Sequence, residues 1–160
     1  MILLGYTSPV GVDFMICTFI GHRDTPSGVE AVLEKVLIEL IEEKGVKNFY
    51  VGTHGNFDYM VLRALKRLSG TYPQIVYKRV LAYIPKNRDD YADYSDSIYP
   101  DGLESTPPKF AIIKRNRWML ERADFVVCYV TQNMTNAGGF LKFAKRRGVE
   151  IINLKDYVKK

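Results

Sequence analysis

Apolar positions along this chain alternate between two spacings. Val29, Val32, Leu33, Val36, Leu37, Leu40 and Ile41 recur every three or four residues, which lays them on one face of a helix. Ser27 and Glu30 stand before that stripe as a capping box, and Gly45 is placed to stop it. Upstream, the run 16–20 is short, β-branched and aromatic, and Gly21-His22-Arg23-Asp24 follows it, a strand-then-turn signature. Phe49-Tyr50-Val51 reads as a second strand, closed by Gly52-Thr53-His54-Gly55-Asn56. Met60, Val61, Ala64, Leu65 and Leu68 form the next helical stripe, with Asp58 as its expected N-cap and Gly70 and Pro73 as its stop. Residues 75–83 predict a third strand, ended by Pro85.

The stretch 86–108 shows neither period and reads as a long irregular loop, with Asp89, Asp90, Asp93, Asp96, Asp101 and Glu104 among Tyr91, Tyr94 and Tyr99. A loop of that length tends to be a lid or an insertion. Pro107-Pro108 then opens a helix over 109–123, because proline suits a helix start. The run 125–130 is almost wholly apolar, as a central parallel strand covered on both faces must be. Gly138-Gly139 opens a last helix bearing Phe140, Leu141, Phe143 and Ala144, Gly148 ends it, and 149–154 is the final strand before a polar tail at 155–160. The order is βαβαβ, a long loop, then αβαβ. Strands alternating with helices predict an α/β fold, a Rossmann-like three-layer sandwich on a parallel sheet of about five strands. Ligands of such sheets sit beyond the carboxyl ends of the strands, at the switch point.

Composition narrows the class without naming a reaction. With 160 residues, 47% hydrophobic and 26% charged, one globular domain is expected over 15–160, and 1–14 stand apart as an N-terminal extension or, alternatively, supply an edge strand from Ile2-Leu3-Leu4. The net charge of +5 is spread over several helices and gathers only at Lys145-Arg146-Arg147 and Lys159-Lys160, which favours solubility and attraction of small anions. Cys17 and Cys128 lie inside apolar runs, so they read as buried strand residues of a reducing, cytoplasmic protein. No apolar stretch approaches the roughly 20 residues that span a bilayer, and no membrane partner is expected.

Three loops that follow strand ends carry the candidate chemistry. In the first, Gly21 permits close backbone approach while His22 and Arg23 offer donors to an anion; an ordinary turn with solvated side chains is the plain alternative. In the second, Gly52, Thr53, His54 and Gly55 precede a helix whose bare amides and dipole favour phosphate. His54 has only His22 for company, so no metal site is expected. The third, 131–139, includes Thr135, Asn136, Gly138 and Gly139, and lacks both the P-loop and the dinucleotide-fingerprint spacing. On the 109–123 helix, Asn116 shares a face with Ile112, Met119 and Leu120 and therefore needs a partner, and Arg115 beside it is placed to reach phosphate. Arg122 reads as part of a solvated face and Trp118 as packing.

Taken together, Thr18-Phe19-Ile20-Gly21-His22-Arg23, Val51-Gly52-Thr53-His54-Gly55-Asn56-Phe57-Asp58, Lys114-Arg115-Asn116-Arg117 with Ala123-Asp124, and Thr135-Asn136-Ala137-Gly138-Gly139 resemble the SLOG superfamily, and within it the small bacterial YpsA-like proteins. The resemblance covers about 15–154. It implies a Rossmann-like fold and a nucleotide or nucleotide-derived ligand such as ADP-ribose or NAD; a binding module that acts as sensor or carrier of that ligand is the leading expectation, with no other cofactor expected. Relatives in that superfamily include phosphoribohydrolases, whose glutamate lies on the helix after the glycine-rich loop, and a DNA-processing protein that binds single strands. Here residues 140–148 contain no acid, and cleaving an N-glycosidic bond needs a carboxylate to stabilise the sugar cation. An enzyme acting on that bond is the alternative reading. It would recruit Asp24, Asp58, Glu104 or Glu121, with the catalytic residues themselves unassigned. Single-stranded nucleic acid ranks third as a partner, and homo-oligomerisation is left open.

Overall fold

All five apolar runs read as strands do form strands. In chain order the elements are β1 (Ile2–Leu4), β2 (Ile16–Gly21), α1 (Val29–Glu42), β3 (Asn48–Val51), α2 (Asn56–Thr71), β4 (Val76–Val80), β5 (Ser97–Tyr99), α3 (Pro108–Arg122), β6 (Phe125–Tyr129), α4 (Asn136–Arg146) and β7 (Glu150–Asn153), followed by a 3-10 turn at Leu154–Asp156. The computed structural model describes residues 2–4, 14–84, 96–131 and 136–158. Every strand pair is parallel, and the sheet order is β1-β5-β4-β3-β2-β6-β7. The three-layer α/β architecture expected from the pattern is therefore present.

The sheet has seven strands rather than about five. One addition, β1, is the edge strand that Ile2-Leu3-Leu4 offered as an alternative to an irregular extension. The other, β5, corrects the reading of 86–108 as structureless: Ser97, Ile98 and Tyr99 are buried between β4 and β1. Three residues are too few to display a period of two, and the surrounding acids mask them. Residues 85–95, which hold Asp89, Asp90, Tyr91, Asp93 and Tyr94, lie outside the described residues.

Alternation within the central strands explains the layers. Cys17 and Phe19 on β2, Phe49 and Val51 on β3, and Phe125 and Val127 on β6 pack against the stripes of α1 and α2. Their neighbours Ile20, Val126 and Cys128 face the opposite way, onto Leu120 of α3 and Ala137, Phe140 and Ala144 of α4. Both cysteines are free and fully buried, and burial pushes the Cys128 thiol up to about 12. These are packing residues.

Two capping expectations do not hold. Helix α1 is capped at Gly28 without a side-chain bond, and the amide of Glu30 donates to the carbonyl of Ser27 instead of its hydroxyl. Helix α2 begins at Asn56 behind Gly55, so Asp58 lies inside the first turn and is not the N-cap. By contrast, α3 opens with Pro108 at its first turn, as the double proline predicts. Helix α4 begins at Asn136, which puts Gly138 and Gly139 in its first turn rather than in the loop before it.

Candidate functional site

The central strands set the position of the site. Chain order runs outward from β2 through β3 to β4 on one side and from β6 to β7 on the other, so the switch point lies between the carboxyl ends of β2 and β6. A cleft of about 290 Å³ opens there, lined by Gly21, His22, Arg23 and Asp24 after β2, His54 and Asp58 beside β3, Ile112, Ile113, Arg115 and Asn116 of α3, and Ala137 and Phe140 of α4.

Hydrogen bonds lock the loops to one another. The amide of Asn56 donates to the carbonyl of Arg23 at 2.9 Å, tying the second loop to the first. The amide of Thr131 donates to Nε2 of His22 at 3.0 Å, tying the third loop to the first. A backbone N–H is always a donor, so this contact leaves the His22 proton on Nδ1. The Gly55 backbone has φ of +92°, a region costly for residues with a Cβ, and a Cβ there would sit 3.0 Å from the Arg23 Cα.

Arg115 forms the floor. It is 1% exposed, and its guanidinium donates from Nη1 to the Val80 carbonyl at 2.9 Å and to Thr53 Oγ1 at 3.4 Å, and from Nε to Asn116 Oδ1 at 2.7 Å. The last bond supplies the partner that Asn116 needed. A buried guanidinium needs hydrogen-bond partners, and here Nε and Nη1 find them in Asn116 of its own helix, the Val80 carbonyl of β4 and the Thr53 hydroxyl of the loop after β3.

Asp58 packs beside it, 8% exposed, with Oδ2 accepting the amide of His54 at 3.0 Å. An acid in the first helical turn that reaches back to an upstream amide satisfies an orphan donor, as the glutamate of a capping box does. Burial lifts the Asp58 carboxyl from 3.8 to about 6, against the pull of Arg115 and the His54 amide. Both side chains rest on Gly52, where a Cβ would fall 2.5 Å from Asp58 Oδ2 and 3.0 Å from Arg115 Cζ. Glycine is required at that position by the approach of these two side chains.

His54 is half-buried, its Nδ1 is 3.2 Å from Thr53 Oγ1, and its ring meets Tyr83 edge-on at 5.6 Å. Burial first, then the guanidiniums of Arg115 and Arg23, lower its proton affinity. The Arg115 and Arg23 guanidiniums thus bring positive charge to this wall, beside the carboxyls of Asp24 and Asp58.

The expected site residues divide as follows. Gly21, His22, Arg23, His54, Asp58, Arg115 and Asn116 line the cleft, while Gly52, Thr53 and Gly55 support its wall. Gly138 is buried in the first turn of α4, Gly139 is exposed with open space where a Cβ would stand, and neither lines the cleft. Thr135 lies outside the described residues. Of the four acids offered for catalysis, only Asp24 and Asp58 line the cleft; Glu121 lines a groove on the outer side of α3 and Glu104 is exposed elsewhere. Arg122 is half-buried with its guanidinium 4.0 Å over the Trp118 ring, which corrects its reading as a solvated charge. Sequence reasoning missed Tyr83, Ile112, Ile113 and Phe140 as site residues. Tyr83 follows a strand and Phe140 stands near a helix start, but Ile112 and Ile113 look like any apolar helix positions.

Among the described residues no group of His, Cys, Asp and Glu could hold a metal ion, and no helix is long and apolar enough to cross a membrane. No family model matches the chain, and no curated protein matches it. Solved structures do. DNA processing protein A from Streptococcus pneumoniae superposes with a TM-score of 0.67 at 17% identity, over 88% of this chain and 50% of that one. DNA processing protein A from Helicobacter pylori, which binds single-stranded DNA, superposes with a TM-score of 0.60 at 12% identity, over 89% of this chain and 70% of that one. The chain thus spans about half the length of the pneumococcal protein. It has the Rossmann-like fold found in these DNA processing proteins.

Proposed function

We propose that the cleft binds a nucleotide or nucleotide-derived ligand of the ADP-ribose or NAD kind, and that the protein acts as its sensor or carrier in the cytoplasm. The observation that carries this is the convergence of the β2 and β3 loops and the start of α4 on one concavity at the switch point, with Arg23 and Arg115 at its wall and floor. In that reading the phosphate lies by Arg23 and the start of α4, where the helix dipole suits an anion. The motif resemblance to YpsA-like members of the SLOG superfamily points the same way, and the fold shared with the DNA processing proteins is compatible with that superfamily. The free, buried cysteines fit a reducing compartment.

Two observations bear on the other readings. The likeness to a single-strand-binding protein favours nucleic acid as a second ligand class, but Asp24 and Asp58 line the cleft and oppose a polyanion. An enzyme of the N-glycosidic bond would have Asp58 as its available buried acid. Calorimetric titration with ADP-ribose, NAD and AMP tests the proposal: at least one binds, and Arg23→Ala weakens it tenfold or more. If none binds while an oligodeoxynucleotide does, in a salt-dependent manner, the small-ligand reading falls.

A further inference from the structure

The cleft is not uniformly cationic, and its one buried acid has an unmet valence. Asp58 Oδ2 is engaged by the His54 amide, whereas Oδ1 has no protein partner among the described residues and is not sealed from the cleft that Asp58 lines. The charged and titratable groups around it are Arg115 beneath and His54 beside it, with Arg23 and Asp24 further along the wall. None of these donates to Oδ1. Arg115 spends Nε and Nη1 on Asn116, Val80 and Thr53.

A buried carboxylate oxygen left open to a ligand site repels phosphate and accepts from hydroxyl or amino donors. The cleft is then bipolar, with the Arg23 cation and the start of α4 on its wall and, deeper in over Arg115, the Asp58 acceptor. A ligand that satisfies both ends carries an anionic group on one side and a hydroxyl donor on the other. Ribose 5′-phosphates have that arrangement.

We propose that Asp58 reads a sugar hydroxyl of the bound ligand, so that the site takes ribonucleotides and discriminates against their deoxy forms. The inference rests on the nucleotide reading above. Asp58 is a specificity residue in this scheme and Arg115 a positioning residue, holding the carboxylate against Gly52.

The test is calorimetric titration of the full chain at pH 7.5 with AMP, 2′-deoxy-AMP and 3′-deoxy-AMP, and with the matching ADP-ribose series. Loss of the hydroxyl that Asp58 reads is expected to weaken binding at least tenfold. That ratio should shrink to threefold or less in Asp58→Asn, which keeps the shape of the side chain, and vanish in Asp58→Ala. Both deoxy analogues binding as tightly as the ribo form in the wild type overturns the inference while leaving the nucleotide reading intact. Discrimination that persists undiminished in folded Asp58→Asn assigns it to another residue and also overturns it. Failure of every ribonucleotide to bind removes both readings together.

Discussion

The Thr131 amide donates to Nε2 of His22 at 3.0 Å, across the gap where the sheet reverses its winding. This contact joins the end of β6 to the end of β2 above the backbone ladder that already pairs Gly21 with Tyr129. His22→Ala should therefore loosen the cleft more than the core. A loss of about 1 kcal/mol in stability is expected, the usual net worth of one partly exposed hydrogen bond, with a drop of fivefold or more in affinity for ADP-ribose or AMP. Paired thermal unfolding and calorimetry would show whether affinity falls out of proportion to stability; an unchanged affinity would contradict the role given to this bond.

Gly52→Ala places a methyl against Asp58 Oδ2 and Arg115 Cζ, neither of which can retreat, since both side chains are buried and bonded. Overpacking of this kind costs about 1–3 kcal/mol. The melting temperature should fall by several degrees. Ala at Gly139, where a Cβ would meet open space, should leave it unchanged.

Arg115→Met removes the donors that serve the Val80 carbonyl, Asn116 Oδ1 and Thr53 Oγ1. Leaving buried acceptors unserved costs on the order of 3–5 kcal/mol where a charged group bridged them. Arg115→Lys should recover only part of this, because an ammonium lacks the planar fork that reaches three elements at once. Denaturant midpoints for the two variants would check the ranking, and equal stability of lysine and arginine here would refute it.

The Asp58 carboxyl holds its proton up to about pH 6 in the folded protein but releases it near 3.8 when exposed. Between those values the folded state binds more protons, so this residue's contribution to stability falls as pH rises through the window. Asp58→Asn should therefore match the wild type below pH 4 and exceed it at pH 8, by on the order of 3 kcal/mol. His54 acts in the opposite sense: its lowered proton affinity favours folding above its ordinary 6.5 and withdraws that support as pH falls. Thermal unfolding of Asp58→Asn and wild type at both pH values isolates the Asp58 contribution. A variant less stable than wild type at pH 8 would show that the pairing with Arg115 outweighs the cost of burial.

The βα alternation was readable because each long element repeats its pattern several times: Leu33, Val36, Leu37 and Leu40 declare α1, and the run Phe125–Tyr129 declares a strand buried on both faces. Strand β5 was not readable, since three buried residues amid acids carry no period and owe their pairing to β4 and β1. The loops of the site showed themselves by glycine and by following strand ends. The role of Arg115 did not. Its place on a basic helix suggests solvent or phosphate, and only the packing of α3 over the sheet turns it inward to Val80. Asp58 was visible as an acid at a helix start, but its burial follows from the missing Cβ of Gly52, a relation between side chains that no spacing rule contains.

The cleft draws on the ends of β2 and β3, the second turn of α3 and the first turn of α4, segments spread over more than half of the chain. No contiguous fragment short of the whole βα array can therefore reproduce it. A piece stopping before Pro108 would keep the two turns after β2 and β3 and lose both the Arg115 guanidinium beneath them and the α4 start opposite. Under the proposed function a ligand would therefore meet its full set of contacts only on the assembled sheet, and adding it should slow unfolding of the finished protein without templating any part of it in advance.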